Sequence, residues 1–283
     1  MLTVKAPAKI NLTLEVLRKR PDGYHEIKSV LQTINLSDTL RLEISRDVTF
    51  RCDMRGWSAE KSLFPRAVDL LKKTTGCSLG VTVEIEKRIP LLSGLGGDSS
   101  DAAALLRGLN EIWKLGLSPE KLRELAAQLG SDAAFFLGGG TSLAEGRGEI
   151  ITSLPSLPEM RVVLLIPDMP AEPGKTGRMY AALQPEHFTD GRFTDKLVKA
   201  LHNNTYDESL LFNTFENIAD KSHPGLSVIK EHLLKLGAPK VHLAGSGPTL
   251  FTMLTDRSRA KEIYRRCKGL GMKAYLASNV FKL

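Results

Sequence analysis

The chain has 283 residues, 42% of them hydrophobic and 25% charged, with 39 Lys and Arg against 32 Asp and Glu for a formal charge of +7. At roughly 150 residues per domain this length implies about two domains, and the ordinary apolar and charged fractions exclude a mainly disordered chain. No apolar run approaches the ~18 residues that cross a bilayer, and the first residues lack the apolar core of a signal peptide.

Three cysteines, Cys52, Cys77 and Cys267, are widely spaced and form no CxxC pair. That argues against a disulfide framework or zinc site and for a reducing cytoplasm. The basic balance leaves nucleic acid, an anionic membrane surface, an anionic small ligand or mere solubility open.

In chain order, the first strand signals are Arg41-Leu-Glu-Ile44, weakly alternating, and Val81-Thr-Val-Glu-Ile-Glu86, which puts Val81, Val83 and Ile85 on one face. A glycine-rich loop follows. Then Ala102, Leu105, Leu106, Leu109, Ile112 and Trp113 recur at helical spacing and predict one apolar stripe. The segment from Pro119 to Gly130 reads as a second helix, with Ser118 as N-cap, Pro119 at N1 and Gly130 at its end.

Leu154-Pro-Ser-Leu-Pro158 marks a domain break near residue 155, dividing the chain into 1–155 and 156–283. Arg161-Val-Val-Leu-Leu-Ile166 predicts a strand buried on both faces, and a loop covers residues 167–173. Amphipathic helices are expected at 226–236 and 260–270, with a weak strand at Lys240-Val-His-Leu243 between them. Strands and helices are thus mixed along the whole chain, as in α+β or α/β proteins.

The strongest local signal is Ile89-Pro-Leu-Leu-Ser-Gly-Leu-Gly-Gly-Asp-Ser-Ser-Asp-Ala-Ala-Ala104. Glycines let a backbone curl around an anion and aim several N–H groups at it, and a helix start adds its free N–H groups and dipole. Ser99 and Ser100 add hydroxyl donors. A polyphosphate is the natural guest, against the plainer reading of a tight strand-to-helix turn. A dinucleotide GxGxxG starting at Gly94 would need glycine where Ser99 stands, and Gly174-Lys-Thr176 ends like a Walker A loop whose first glycine would fall on Met169. Both commoner motifs therefore fail.

The PxxxGLGGxSS pattern running into an alanine-rich helix resembles the phosphate loop of the GHMP kinases. Ala6-Pro-Ala-Lys-Ile-Asn-Leu12 and Leu243-Ala-Gly-Ser-Gly-Pro-Thr-Leu-Phe251 resemble that family's N-terminal and C-terminal motifs, in the same order. Asp22-Gly-Tyr-His-Glu26, Gly130-Ser-Asp-Ala-Ala-Phe-Phe-Leu137 and Glu145-Gly-Arg-Gly-Glu149 narrow the resemblance to one branch. That branch phosphorylates the C2 hydroxyl of 4-diphosphocytidyl-2-C-methyl-D-erythritol in the non-mevalonate route to isoprenoid precursors.

The resemblance implies a two-domain α+β fold with its active site in the cleft between domains. It implies ATP as co-substrate and Mg²⁺ accompanying ATP in a cytoplasmic enzyme. The histidines make no HxxxH or HExxH pattern, so no protein metal cage is expected, and the residues point to neither nucleic-acid nor membrane partners. Monomer and homodimer both stay open. ATP would be held by Pro90, Leu91, Leu92, Ser93, Gly94, Leu95, Gly96, Gly97, Asp98, Ser99 and Ser100. Asp132 would take the proton of the substrate hydroxyl, beside Lys9, with Asn11 positioning the pair. Tyr24 and His25 would grip the cytidine base, and Tyr180 would close a sandwich around it.

Two residues depart from the family pattern: Asp98 stands where glycine is usual, and Ala134 where proline is usual. Pointing inward, Asp98 would repel ATP, although carboxylates are ordinary Mg²⁺ ligands. The expectation is that it points outward. A nucleic-acid-binding reading is disfavoured, because acids interleave with bases, as in Glu120-Lys-Leu-Arg-Glu124, and no aromatic–glycine RNA motif occurs. A different GHMP kinase, or a nucleotide binder without catalysis, are the remaining alternatives.

Overall fold

Two long antiparallel strands, β1 (Leu2–Lys19) and β2 (His25–Ser45), form the spine of the molecule. The computed structural model describes residues 1–169 and 174–282, so residues 170–173 of the expected loop lie outside the described residues. Register shifts at Pro7/Ala8, Asn11/Thr13 and Val16/Arg18 bend and twist the pair. The two halves of β2 consequently serve different neighbours. Residues 39–45 pair with β4 (Gly80–Glu86), which carries β3 (Val48–Cys52) in parallel; residues 27–32 pair with β5 (Thr141–Gly146), which carries β6 (Ile150–Ser153).

The second sheet is antiparallel. Its inner strand β7 (Arg161–Ile166) lies between β11 (Lys273–Ser278) and β10 (Leu250–Leu254), with β9 (His242–Leu243) at the edge. A short strand, β8 (Phe212–Asn213), returns to the first sheet and pairs in parallel with Thr13 and Leu14 of β1. The architecture is α+β. Residue 155 falls in the connector between β6 and β7, while β8 ties the later half back to the earlier one.

Four helices precede β7: α1 (Phe64–Thr75), α2 (Gly97–Ile112), α3 (Pro119–Leu129) and the single turn α4 (Phe135–Gly138). After it come α5 (Lys175–Ala182), α6 (Arg192–His202), the short α7 (Ala219–Ser222), α8 (Leu226–Lys235) and α9 (Arg257–Gly269). Helix α2 carries the expected stripe, with Ala102, Leu105, Leu106 and Leu109 fully buried. Gly108 lets it sit close to the first sheet, since a Cβ there would stand 3.0 Å from Leu42 and 3.1 Å from Val4. Ser118 caps α3 by accepting from Lys121 N at 3.2 Å.

Sequence periodicity located α2, α3, α8, α9 and the inner strand β7 but passed over β1, α1, α5 and α6. In α1, Phe64, Ala67, Val68 and Leu71 do recur at helical spacing and are buried, with a proline in the first turn. The strand expected at residues 240–243 shortens to two residues, because the chain turns there into a glycine loop.

The run Arg161–Ile166 is buried on both faces, as its unbroken apolar character predicts. Val163 and Leu165 pack with Ile263 and Leu233, whereas Val162, Leu164 and Ile166 pack with Ile10 and Leu12 of β1. This strand thus joins the two sheets through side chains. Leu164→Ala should lower unfolding free energy by about 2–5 kcal/mol in urea titrations, against less than about 0.5 kcal/mol for the exposed Leu79→Ala.

Candidate active site

The glycine-rich loop leaves β4 and enters α2 across a backbone that alternates into the left-handed region, at Leu92 (φ 52°), Gly94 (86°) and Gly96 (73°). Such alternation turns successive N–H groups toward one concavity. Gly96, as N-cap residue, brings no side chain to cap α2, so the helix's first N–H groups face the loop uncapped. Lys9 N donates to Leu95 O at 3.0 Å, and Ser100 Oγ donates to Pro7 O at 2.6 Å, fastening loop and helix to β1. Ser100 is therefore a buried structural hydroxyl here, and Ser99 is the half-exposed one.

A second glycine loop, Gly245-Ser-Gly247 between β9 and β10, packs directly on the first. A Cβ at Gly94 would lie 2.3 Å from Ala244 O, and one at Gly245 would lie 2.9 Å from Gly94 O. Only glycine permits this approach. Asn213 at the end of β8 holds the second loop by donating to Leu243 O at 2.8 Å and Gly245 O at 2.9 Å.

Lys9 lies at this junction. Its Nζ donates to Asn11 Oδ1 at 2.7 Å and pairs with Asp132 Oδ2 at 3.3 Å, while Asn11 Nδ2 donates to Ser29 Oγ at 2.9 Å. Lys9 is only 4% exposed, whereas the Asp132 side chain is about a third exposed. A buried ammonium is tolerable only with such partners. The pair thus offers solvent one accessible carboxylate backed by one hidden cation. Behind it, Phe136 and the Lys9 stem fill the space that a Cβ at Gly96 would need.

The stem of the first loop is braced by a triad that sequence reading did not find. Lys87 Nζ bonds Asp38 Oδ2 at 2.5 Å and Asp101 Oδ2 at 2.6 Å, all three side chains being at most 2% exposed. Asp38 also accepts from Arg88 N at 2.5 Å and Ile89 N at 2.8 Å. Asp101 Oδ1 has no partner among the described residues. Two carboxylates face one ammonium, and Asp38 carries the donors that stabilise a charge. Burial and the neighbouring Asp38 charge drive the Asp101 carboxyl well above its ordinary value, against the pull of Lys87.

Asp98 Oδ1 accepts from Leu63 N at 3.2 Å, so it is turned toward the start of α1. Ala134 has φ −62°, the angle that proline would impose, so that departure leaves the backbone unchanged. Farther along the cleft, His25 and Tyr180 stack with ring centroids 5.1 Å apart, and Phe215 meets Tyr180 edge-on at 4.9 Å. Tyr24 stands apart from this stack, 55% exposed beneath the Arg147 guanidinium at 4.8 Å. Burial, then Lys19, lowers the His25 pKa and keeps the ring neutral near pH 7. The Tyr180 hydroxyl is pushed upward by burial and by the nearby Asp132 charge, which links the aromatic stack to the carboxylate.

The structure thus brings together Lys9, Asn11, Asp132, the first glycine loop and Gly245-Ser-Gly247, with His25 and Tyr180 adjoining. Asn213, Phe136, the triad and Lys175 were not singled out from sequence. Phe136, Asp101 and Lys175 each lay within a quoted stretch, Lys175 in Gly174-Lys-Thr176, but none was given a role of its own.

Residues 62–140 match the family description "GHMP kinases N terminal domain", and residues 194–271 match "GHMP kinases C terminal". A 4-diphosphocytidyl-2-C-methyl-D-erythritol kinase of Dehalococcoides mccartyi is 47% identical over 282 residues, covering 99% of both chains. The same enzyme of Geobacillus thermodenitrificans is 43% identical over 274 residues, covering 95% of this chain and 93% of the relative. Among solved structures, a 4-(cytidine 5'-diphospho)-2C-methyl-D-erythritol kinase superposes with a TM-score of 0.83 at 29% identity, covering 98% of this chain and 99% of that one. A homoserine kinase from Cytophaga hutchinsonii shares the fold, with a TM-score of 0.76 at 19% identity over 99% of this chain and 95% of its own.

Lys87→Met should cost about 3–5 kcal/mol in chemical unfolding, because it strands the Asp38 carboxylate in the interior. Asp101→Asn should cost less than Lys87→Met, since the amide keeps a polar group beside Lys87 and leaves Asp38 as its counter-charge. A carboxyl raised in the fold contributes stability at low pH that is lost as pH rises through its folded-state value. The Asn variant should therefore flatten that part of the stability–pH curve.

Proposed function

The chain belongs to the GHMP kinases, in the branch of the 4-diphosphocytidyl-2-C-methyl-D-erythritol kinases, and we propose that Asp132 and Lys9 carry its phosphoryl transfer. The enzyme is an ATP-dependent kinase. The acceptor is the C2 hydroxyl of 4-diphosphocytidyl-2-C-methyl-D-erythritol, and the products are its 2-phosphate and ADP. The division near residue 155 separates the half bearing Asp132 and the phosphate loop from the half bearing the second glycine loop. The setting we assign is the cytoplasm. Among the described residues no helix is long and apolar enough to cross a membrane.

The observation that carries this reading is the Lys9–Asp132 contact of 3.3 Å at the seam of two glycine loops. Asp132 accepts the hydroxyl proton as the oxygen attacks the γ-phosphorus, and the bond from that phosphorus to the bridging oxygen of ADP breaks. Lys9 offsets negative charge on the carboxylate and on the transferring group. Asn11 fixes the ammonium. The loop between Pro90 and Ser100 supplies N–H donors to the phosphates, so most anion recognition there is by backbone rather than by formal charge.

Mg²⁺ enters as part of the Mg·ATP substrate. Among the described residues there is no group of three or more His, Cys, Asp or Glu positioned to hold a metal ion. Mg²⁺ would bridge the phosphate oxygens of ATP and keep several waters, as is usual for Mg²⁺ bound with nucleotides. Neutral His25 presents one donor and one acceptor to a pyrimidine edge, and Tyr180 and Tyr24 offer ring faces for the base.

Asp132→Asn should lower kcat at least about 100-fold in an ADP-release assay, with KM for ATP changed less than about threefold. Undiminished turnover would remove Asp132 from the chemistry. His25→Ala should raise KM for the cytidylyl substrate roughly tenfold and leave KM for ATP in place, because only one partner loses a hydrogen-bonding ring.

A further inference from the structure

Gly174-Lys-Thr176 fails as a Walker A loop, yet the fold carries it to the phosphate region. Lys175 opens α5, and its Nζ donates to Leu92 O of the first glycine loop at 3.0 Å and to Gly247 O of the second. Next to it, Thr176 Oγ1 and Ser246 Oγ are 3.0 Å apart. Among the described residues no carboxylate forms an ion pair with Lys175. Two backbone carbonyls satisfy its donors but leave its charge unmatched.

The neighbourhood sharpens that imbalance. Lys9 faces it from β1, within 3.4 Å of the Cβ position of Gly245. Asp132 is already committed to Lys9. His223, on the far side of the second loop, holds Ser246 O at 3.0 Å, and Arg178 lies one turn along α5. Asp98 is turned away toward Leu63. Among the described residues, two desolvated ammonium groups therefore flank the second glycine loop, and the carboxylate of Asp132 is paired with Lys9. Burial, then the charge of Lys9, lowers Lys175 to about 8. A charge held this way gains most from an anion that replaces the carbonyls.

We propose that Lys175 is a phosphate-binding cation of this site, exchanging the carbonyls of Leu92 and Gly247 for anionic phosphate oxygens when a ligand arrives. This rests on the kinase reading above. The shared chemistry is a phosphoric anhydride chain, and its two sources here are ATP and the cytidine diphosphate end of the acceptor. Free of ligand, Lys175 straps the two loops together, and the arriving phosphates take over the strap. A lysine suits the exchange, since a compact ammonium on a flexible stem redirects its donors more readily than a planar guanidinium.

The test compares the parent, Lys175→Met and Lys175→Arg by calorimetric titration with a non-hydrolysable ATP analogue plus Mg²⁺, and separately with CDP. Steady-state ADP release and melting temperature are recorded for each. Lys175→Met should weaken one ligand by tenfold or more, and Lys175→Arg should restore most of that affinity. A weakened ATP analogue assigns Lys175 to the nucleotide phosphates, and weakened CDP assigns it to the acceptor. In the parent, kcat/KM for that ligand should fall as pH rises above about 8, where the lysine loses its proton, and Lys175→Arg should remove the fall. If Lys175→Met lowers the melting temperature but moves neither affinity beyond about twofold, the residue is a strap only and the proposal fails. A parent enzyme that releases no ADP would instead refute the kinase reading, whatever Lys175 does.

Discussion

Backbone packed on backbone is the constraint from which the rest of this site follows. The carbonyl of Ala244 lies where Gly94 would carry a Cβ, and the carbonyl of Gly94 lies where Gly245 would carry one. These residues are far apart in sequence and come from opposite halves of the molecule. No side chain could mediate an approach this close, so both positions must be glycine. Once the loops touch, the concavity they share is bounded by N–H groups and carbonyls. Any charged side chain reaching it does so from a neighbouring element: Lys9 from β1, Asp132 from the turn before α4, and Lys175 from α5.

The charges are arranged with the same economy. Lys9 is buried and has Asn11 and Asp132; Lys87 is buried and has Asp38 and Asp101. The first set is open to solvent through Asp132 and suits chemistry. The second is sealed and suits bracing, since it pins both ends of the phosphate loop, at residues 87–89 and at the first turn of α2. The net charge of +7 says little about either arrangement. In the proposed reading, anion recognition lies mainly in peptide N–H groups, which carry no formal charge.

Legibility in the sequence followed chemical locality. The phosphate loop, Lys9 and Asp132 each sit in short stretches whose residue types and order resemble a known family, and the structure brings those stretches together. The run Arg161–Ile166 was readable because burial on both faces leaves no polar alternation. Other features depend on distant partners. Nothing near Asp38 or Asp101 announces that Lys87 lies between them, and Asn213 acquires its role only because β8 returns to β1. Lys175 was visible as a motif fragment but was discarded with the motif, since the pattern describes a loop around phosphate and not a side chain delivered by a separate helix. The ring that Tyr180 meets is His25, and Tyr24 stands apart beneath Arg147, so the two tyrosines do not face each other in this structure.

The central claim is that this cleft joins a phosphate-binding backbone to an acceptor recognised by its cytidylyl end. The most direct measurement is ADP release with Mg·ATP across three acceptors, 4-diphosphocytidyl-2-C-methyl-D-erythritol, mevalonate and homoserine, with phosphorus NMR on the product. The account predicts turnover with the first acceptor alone, a new phosphomonoester at the C2 hydroxyl, and competitive inhibition by CMP against that acceptor. Turnover of mevalonate or homoserine without any response to cytidine compounds would contradict it.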